Sequence, residues 1–263
     1  KKKKKKILLN NISNSLYSKK EKHSIKTNNA KIKLYHYKDN NKDKNRLAIF
    51  LHGGPFTRYQ DLSFNPKAQI LNKLGYHIIE LNYRGSSGYG RKYQESVNGN
   101  LPKAALKDIE NTIDWSKEKF NVKNENILLI GSSFGGYLAI LAKTKLGDQF
   151  GLSIGMITGN IHDFKNKDYT TIEFSKMFEN SDLYNIKKLA KKTNYKLNIV
   201  DSINDPKYQK PIFWDNLQFT NDNIKIIDTT KEGHSVSLKV FKKVIYYILE
   251  NQNEIKWLYK INY

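Results

Sequence analysis

Cysteine is absent from the 263 residues, and arginine is scarce. The missing thiols exclude disulfide bonds, a zinc–thiolate site and a cysteine nucleophile. Lys and Arg together number 46 against 25 acidic residues, which gives a formal charge of +21. Proteins that read nucleic-acid sequence use Arg for bidentate contacts with bases, whereas this excess is mostly Lys and is spread along the whole chain. We interpret the charge as a compositional bias and expect no specific nucleic-acid site.

Long apolar runs are also missing. None approaches the roughly 18 residues that a transmembrane helix needs. The stretch Ile7–Leu9, behind six lysines, is too short for a secretory signal. Residues 1–20 are expected to form a basic, poorly ordered lead-in, and residues 21–263 a single domain. A cytoplasmic protein is the default expectation, and the sequence leaves open whether the chain forms a homo-oligomer.

What is present is a regular alternation of strand-like and helix-like segments. A hairpin of two short strands, His23–Lys26 and Lys31–Tyr37, comes first. Continuous apolar runs such as Leu47–Leu51 follow, as expected for strands buried on both faces of a parallel sheet. Repeated β–α units of this kind predict an α/β domain with an open, doubly wound, mostly parallel sheet. The remaining predicted strands are Tyr76–Leu81, Ile127–Ile130, Leu152–Ile157, Leu197–Val200 and Ile224–Ile227, and the predicted helices are Ala68–Leu74, Pro102–Phe120, Phe134–Lys145, Tyr208–Leu217 and Val240–Leu249.

The segment Gly131–Gly136 fits the pattern G-x-S-x-G with Ser133 at its centre. It lies between a predicted buried strand and a predicted helix. A nucleophilic serine on such a strand-to-helix turn requires very small neighbours two positions away on either side. The alternative interpretation is a glycine-rich turn that serves only close packing. The strand–turn–helix context favours Ser133 as a nucleophile.

A second glycine motif, His52-Gly53-Gly54-Pro55, directly follows the strand Leu47–Leu51. Amides of Gly53 and Gly54 in such a loop approach a substrate oxyanion and complete an oxyanion hole with the amide of Phe134. The alternative is an ordinary loop, because Gly-Gly and Gly-Pro are common turn signals.

A catalytic serine needs a base, and His234 is the best placed of the six histidines. It follows the last predicted strand, at the carboxyl edge of the sheet where α/β proteins build their sites. The order serine, then acid, then histidine also fits. Asp205 is the preferred acid because it lies in the loop after Leu197–Val200, whereas Asp201 still belongs to the strand end. Asp163 and Asp228 are weaker candidates.

Four motifs together resemble the catalytic domain of the prolyl oligopeptidase family, in its acylaminoacyl-peptidase-like and dipeptidyl-peptidase-like branches. They are His52-Gly53-Gly54-Pro55, the stretch Asn-Tyr-Arg-Gly-Ser-Ser-Gly-Tyr-Gly at 82–90, Gly-Ser-Ser-Phe-Gly-Gly-Tyr at 131–137, and Gly233-His234. The resemblance implies an α/β-hydrolase fold and a serine peptidase that cleaves short peptides. It also implies the triad Ser133, Asp205 and His234, with neither a metal nor an organic cofactor.

The chain departs from the family pattern in two places. Residues 201–205 stand where family members have His-Gly before the acid, and the family's N-terminal β-propeller is missing from these residues. We therefore expect access to the site to be limited only by a polar insertion at Lys165–Lys192.

Two alternatives to a peptidase remain. One is a carboxylesterase or thioesterase, and the other is a degenerate hydrolase fold used for binding.

Tyr83 and Arg84, in the motif at residues 82–90, have two interpretations. They are candidate substrate-binding residues that line the cleft. Alternatively, Arg84 fixes its loop to a nearby carboxylate, for which Asp108 and Glu110 on the long predicted helix are candidates. The second interpretation is favoured for Arg84.

Overall fold

A computed structural model describes residues 17–27, 31–38, 45–60, 63–158, 177–178, 184–202, 205 and 213–251. Residues 1–16, which make up most of the expected lead-in, lie outside the described residues. The same holds for most of the polar insertion predicted at Lys165–Lys192.

In the described part of the chain, eight strands form one sheet in the order β1-β2-β4-β3-β5-β6-β7-β8. The hairpin β1–β2 is antiparallel, β2 pairs antiparallel with β4, and the other neighbours are parallel. The predicted mostly parallel sheet with an N-terminal hairpin is confirmed. The strands are β1 (Lys20–Lys26), β2 (Lys31–Tyr37), β3 (Arg46–Leu51), β4 (Tyr76–Asn82), β5 (Ile127–Ser132), β6 (Leu152–Met156), β7 (Leu197–Ser202) and β8 (Ile224–Thr230).

Helices cover both faces of the sheet, because the strand residues point alternately to two apolar clusters. The cluster on one face includes residues of α3, α4, α5 and α6, and that on the other includes residues of α1 and α7. This arrangement is the doubly wound α/β fold that the sequence predicts. The helices are α1 (Pro66–Lys73), α2 (Arg91–Glu95), α3 (Leu101–Phe120), α4 (Phe134–Leu146), α5 (Ile186–Lys192), α6 (Phe213–Gln218) and α7 (Leu238–Asn251).

The first strand begins at Lys20, three residues before the predicted strand. Lys20 Nζ lies 2.8 Å from a carboxylate oxygen of Glu80, a side chain with no exposed surface. Tyr37 and Asn65 each donate a hydrogen bond of 3.0 Å to the other oxygen of Glu80. Because a buried carboxylate needs a counter-charge and hydrogen-bond donors, Lys20 belongs to the folded domain. The expectation of a poorly ordered lead-in is thus wrong for residue 20.

One helix of the structure has no counterpart among the predicted helices. The short helix α2 begins after Gly90 and has no buried residues, so the apolar pattern gives no signal for it. The predicted helix Tyr208–Leu217 overlaps α6 from Phe213 onward, and its first residues, 208–212, lie outside the described part of the chain.

Candidate active site

Ser133 lies on a sharp turn between β5 and α4, at the carboxyl edge of the sheet. Its backbone has φ 56° and ψ −123°, a conformation that residues other than glycine rarely adopt. The amide of Ser133 donates to the carbonyl of Met156 at 2.9 Å, and its carbonyl accepts from the amide of Tyr137 at 3.0 Å. Neighbouring backbone therefore holds the strained residue in place, as is common at functional sites.

Two glycines make this turn sterically feasible. A Cβ atom on Gly131 would overlap the carbonyl oxygen of Gly135, and a Cβ atom on Gly135 would overlap the carbonyl oxygen of Leu51. Since these neighbours are backbone atoms, side-chain rotation cannot relieve either overlap. The two glycines of the G-x-S-x-G pattern are thus required for the chain to present Ser133.

Three side chains that are distant in sequence meet above this turn. His234, in the loop between β8 and α7, places Nε2 3.1 Å from Ser133 Oγ. Its Nδ1 lies 2.6 Å from Asp205 Oδ2. The side chain of Asp205 is 2% exposed and that of His234 is 18% exposed, so the carboxylate is shielded while the imidazole stays accessible. The geometry is that of a serine activated by a base, which is in turn oriented by an acid.

Two of the other candidate acids have partners of their own among the described residues. Asp201 lies within β7, and its Oδ1 accepts a 2.9 Å hydrogen bond from the adjacent Ser202 amide. Asp228 binds the ammonium of Lys243 at 2.7 Å, and Asp163 lies outside the described residues. Within the described part of the chain, the carboxylate that lies on the imidazole is the one preferred from the sequence.

The loop after β3 packs directly against the nucleophile turn. A Cβ atom on Gly53 would lie 3.2 Å from Ser133 Cβ. Gly54 has a φ of 47°, and its carbonyl accepts from the Thr57 amide at 3.0 Å, which closes a turn. Phe134 is the first residue of α4 and is fully buried. The loop after β3 and the N-terminus of α4, where negative charge is favoured, thus flank Ser133.

His52 fixes the loop after β3 to the loop after β4, which contains Tyr83 and Ser86. Its ring is buried and stacks on Tyr83 with ring centroids 4.3 Å apart. His52 Nε2 lies 2.8 Å from Ser86 Oγ, and the Tyr83 hydroxyl donates to the His52 carbonyl at 3.1 Å. Burial lowers the pKa of His52 to about 4, so the ring is neutral at physiological pH. Ser86 is not predicted from the sequence as a site residue; its place in the motif at residues 82–90 is the only signal for it.

The family model of the prolyl oligopeptidase family matches residues 62–258, a range that contains Ser133, Asp205 and His234. The chain belongs to the prolyl oligopeptidase family. The resemblance inferred from the four motifs is therefore confirmed. This is a family of serine peptidases, and the motif-bearing segments described above lie largely within the matched range.

Individual relatives in this family match over shorter stretches. Acylamino-acid-releasing enzyme 1 of Oryza sativa subsp. japonica is 32% identical over 90 residues, which are 34% of this chain and 12% of the relative. Dipeptidyl aminopeptidase BIII of Pseudoxanthomonas mexicana is 25% identical over 111 residues, 42% of this chain and 16% of the relative. The matched stretch is thus less than a fifth of the length of either relative.

Solved structures of acylaminoacyl peptidases share the fold. One in complex with Z-Gly-Gly-Phe-chloromethyl ketone superposes with a TM-score of 0.76 at 20% identity, over 92% of this chain and 43% of that one. The uncomplexed enzyme of Pyrococcus horikoshii gives a TM-score of 0.74 at 21% identity, over the same shares. The α/β-hydrolase fold is therefore confirmed for this prolyl oligopeptidase family member.

In this structure Tyr83 contacts His52, and Arg84 binds Asp108 on α3. Tyr83 has no exposed surface. Arg84 Nη2 lies 2.8 Å from Asp108 Oδ1, and the Arg84 amide donates to Asp108 Oδ2 at 2.7 Å. Burial raises the pKa of Asp108, and the bonds from Arg84 counteract that rise. These contacts match the loop-fixing interpretation of Arg84, and a substrate contact by either residue stays a prediction.

Glu232 is a residue that sequence reasoning did not single out. Its carboxylate accepts a 2.8 Å hydrogen bond from the Ser237 amide and a 2.6 Å bond from the Ser237 hydroxyl. These bonds lower the pKa of Glu232 and close the loop that carries His234. A serine three residues before Val240, at the start of the last helix, was the available signal for a helix cap.

Among the residues that the structure describes, no group of three or more His, Asp or Glu side chains could hold a metal ion. Over the same residues, no helix has the length and apolar character needed to cross a membrane.

Proposed function

We propose that this protein hydrolyses amide bonds of short peptides through an acyl-enzyme formed on Ser133. The observation that carries the proposal is the hydrogen-bonded series Asp205–His234–Ser133, with separations of 2.6 Å and 3.1 Å. Membership of the prolyl oligopeptidase family supports amide bonds as the target. The substrates that the relatives' names indicate, acylamino-acid and dipeptidyl peptides, support short peptides as the class.

In the acylation step, Ser133 Oγ attacks the scissile carbonyl carbon while His234 Nε2 takes the hydroxyl proton. Asp205 accepts a hydrogen bond from Nδ1–H, which keeps the Nε2 lone pair directed at the serine and stabilises the imidazolium. When the tetrahedral intermediate collapses, the C–N bond breaks and His234 gives its proton to the leaving amine. The acyl group remains as an ester on Ser133.

In deacylation, water takes the place of the amine. His234 removes a proton from the water as its oxygen attacks the ester carbonyl, and the proton then returns to Ser133 Oγ as that oxygen leaves. The products are a carboxylic acid and the original enzyme. This cycle uses only groups of the chain and water.

The negative charge of each tetrahedral intermediate needs hydrogen-bond donors. We assign this role to the backbone amides of Gly53, Gly54 and Phe134, on the ground that the glycine loop and the start of α4 flank Ser133. Loss of one such donor in a serine peptidase costs roughly 10²–10³ in kcat. The neutral, buried His52 supports this assignment because its contacts with Tyr83 and Ser86 fix the position of the loop that contains Gly53 and Gly54.

A substrate panel tests the proposal. Aminoacyl amides, N-acylated short peptides and short acyl esters should be offered to the wild type, to His234→Ala and to a matched variant, His23→Ala, in the exposed first strand. The wild type and His23→Ala should hydrolyse the peptide amides, and His234→Ala should lose the activity. Hydrolysis of esters with no amide cleaved would instead support the carboxylesterase alternative.

A further inference from the structure

Arg58 lies on the loop after β3, five residues beyond Gly53. Its guanidinium packs against Gly88 in the loop after β4. A Cβ atom on Gly88 would overlap the guanidinium, and Gly88 has a φ of 79°. The Ser87 amide donates to the Thr57 carbonyl at 3.3 Å, which joins the two loops beside this contact. A glycine therefore provides the space in which the guanidinium lies, so the side chain is held in place although Arg58 is exposed.

The charge of Arg58 is not neutralised within the described part of the chain. Of the other arginines there, Arg46 binds a carbonyl oxygen at 3.0 Å, and Arg84 and Arg91 each bind a carboxylate within 2.8 Å. Arg58 has no hydrogen bond or ion pair with any described residue. A positioned guanidinium without a counter-charge is suited to bind a carboxylate from outside, because its planar fork matches a carboxylate in two parallel hydrogen bonds.

Arg58 directly follows a turn that begins next to Gly53. Gly53 contacts Ser133, and the hydrogen-bonded turn from Gly54 to Thr57 keeps its ends within about 7 Å of each other. An extended peptide advances about 3.3–3.6 Å per residue. A peptide whose scissile carbonyl lies at Ser133 thus reaches the neighbourhood of Arg58 within about three residues.

We propose that Arg58 is a specificity-determining residue that binds a carboxylate of the substrate within about three residues of the scissile bond. This inference rests on the proposed peptidase function. The carboxylate comes either from an acidic side chain or from the C-terminus of the peptide. The formal charge of +21 adds a long-range attraction for such peptides.

Matched peptide pairs test the inference. In one set, Glu replaces Gln at each of three positions on either side of the scissile bond; in the other, a C-terminal acid replaces an amide. The ratio of kcat/KM for the charged over the neutral peptide should reach about fivefold at one position for the wild type and decline with added salt. The set that shows the ratio identifies the source of the carboxylate.

Three variants separate the local contact from the overall charge. Arg58→Gln should bring the ratio to about one, Arg58→Lys should keep part of it, and Lys123→Gln should keep the wild-type ratio. Lys123 is exposed and precedes β5, at the opposite edge of the sheet from Ser133. It therefore controls for the loss of one positive charge. Thermal unfolding midpoints verify that each variant is folded.

The possible failures are distinguishable. Hydrolysis of the neutral peptides with a wild-type ratio near one, or an unchanged ratio in Arg58→Gln, would overturn the subsite and leave the peptidase function intact. If no peptide is hydrolysed and a fluorophosphonate does not label Ser133, the proposed function fails, and the subsite fails with it.

Discussion

Glu232 and Ser237 close the loop that carries His234 with two hydrogen bonds, one from the Ser237 amide at 2.8 Å and one from its hydroxyl at 2.6 Å. His234 lies between them in sequence, and Ser237 Oγ in turn accepts from the Val240 amide at 3.3 Å at the start of α7. The loop that carries the base is thus anchored to a helix terminus. Its conformation depends on a residue that does not itself contact Ser133.

Replacement of that anchor should reduce turnover. Glu232→Gln keeps one acceptor oxygen in place of two, so we expect kcat to fall about ten- to a hundredfold through a misplaced imidazole while KM changes little. Ser235→Ala is the control, because among the described residues the Ser235 hydroxyl bonds the Glu232 carbonyl and not its carboxylate. Steady-state kinetics on a neutral peptide amide measure both. An unchanged kcat in Glu232→Gln would show that the loop holds its shape without this carboxylate.

The identity of the acid gives a second prediction. Asp205→Asn should lower kcat by about 10⁴, because the amide favours the wrong imidazole tautomer. Asp201→Asn should lower it less than about tenfold, because Asp201 lies within β7 and accepts a hydrogen bond from its neighbouring amide. Parallel measurements of kcat on one peptide amide give the order. A larger loss in Asp201→Asn would transfer the role to that residue.

His52 makes stability depend on pH. Burial lowers its pKa from 6.5 to about 4, so between these values the unfolded chain binds a proton that the folded chain does not. The free energy of unfolding should therefore fall as pH falls through this window, by about 3 kcal/mol in all from this group. Urea unfolding of the wild type and His52→Asn at several pH values measures it. The variant should show the smaller decline, and equal declines would refute the assignment.

The Arg84–Asp108 pair is expected to stabilise the motif at residues 82–90. Asp108 is fully buried and accepts bonds from both the side chain and the amide of Arg84. Asp108→Asn should lower the free energy of unfolding by about 3 kcal/mol, because the charge of Arg84 then loses its partner. Glu110→Gln, which removes an exposed pair with Lys107, should cost at most about 1 kcal/mol. Similar losses in the two variants would contradict a structural role specific to Asp108.

Much of the fold follows from local patterns. Apolar runs such as that of β3 predict buried strands because both faces of a parallel sheet are covered. The glycines that flank Ser133 predict the turn because neighbouring backbone leaves no space for Cβ atoms. Its position in the loop after the strand, and not at the strand end, favoured Asp205 over Asp201, and the structure places Asp205 beside His234.

Other features depend on contacts between distant residues, which local pattern does not encode. The Lys20–Glu80 ion pair joins residues 60 positions apart, and nothing in the lysine-rich sequence of the lead-in marks Lys20 as the partner of a buried carboxylate. The contact of Arg58 with Gly88 depends on how two loops pack. Similarly, Glu232 has a visible role only once the start of α7 is known.

The central claim, that Ser133 is the covalent nucleophile, is tested most directly by fluorophosphonate labelling of the wild type, Ser133→Ala and the neighbouring control Ser132→Ala. Mass spectrometry of the labelled peptide gives the site, and circular dichroism gives the fold of each variant. We predict stoichiometric labelling of the wild type and Ser132→Ala, and none of a folded Ser133→Ala. Undiminished labelling of Ser133→Ala, or its loss only in Ser132→Ala, would contradict the account.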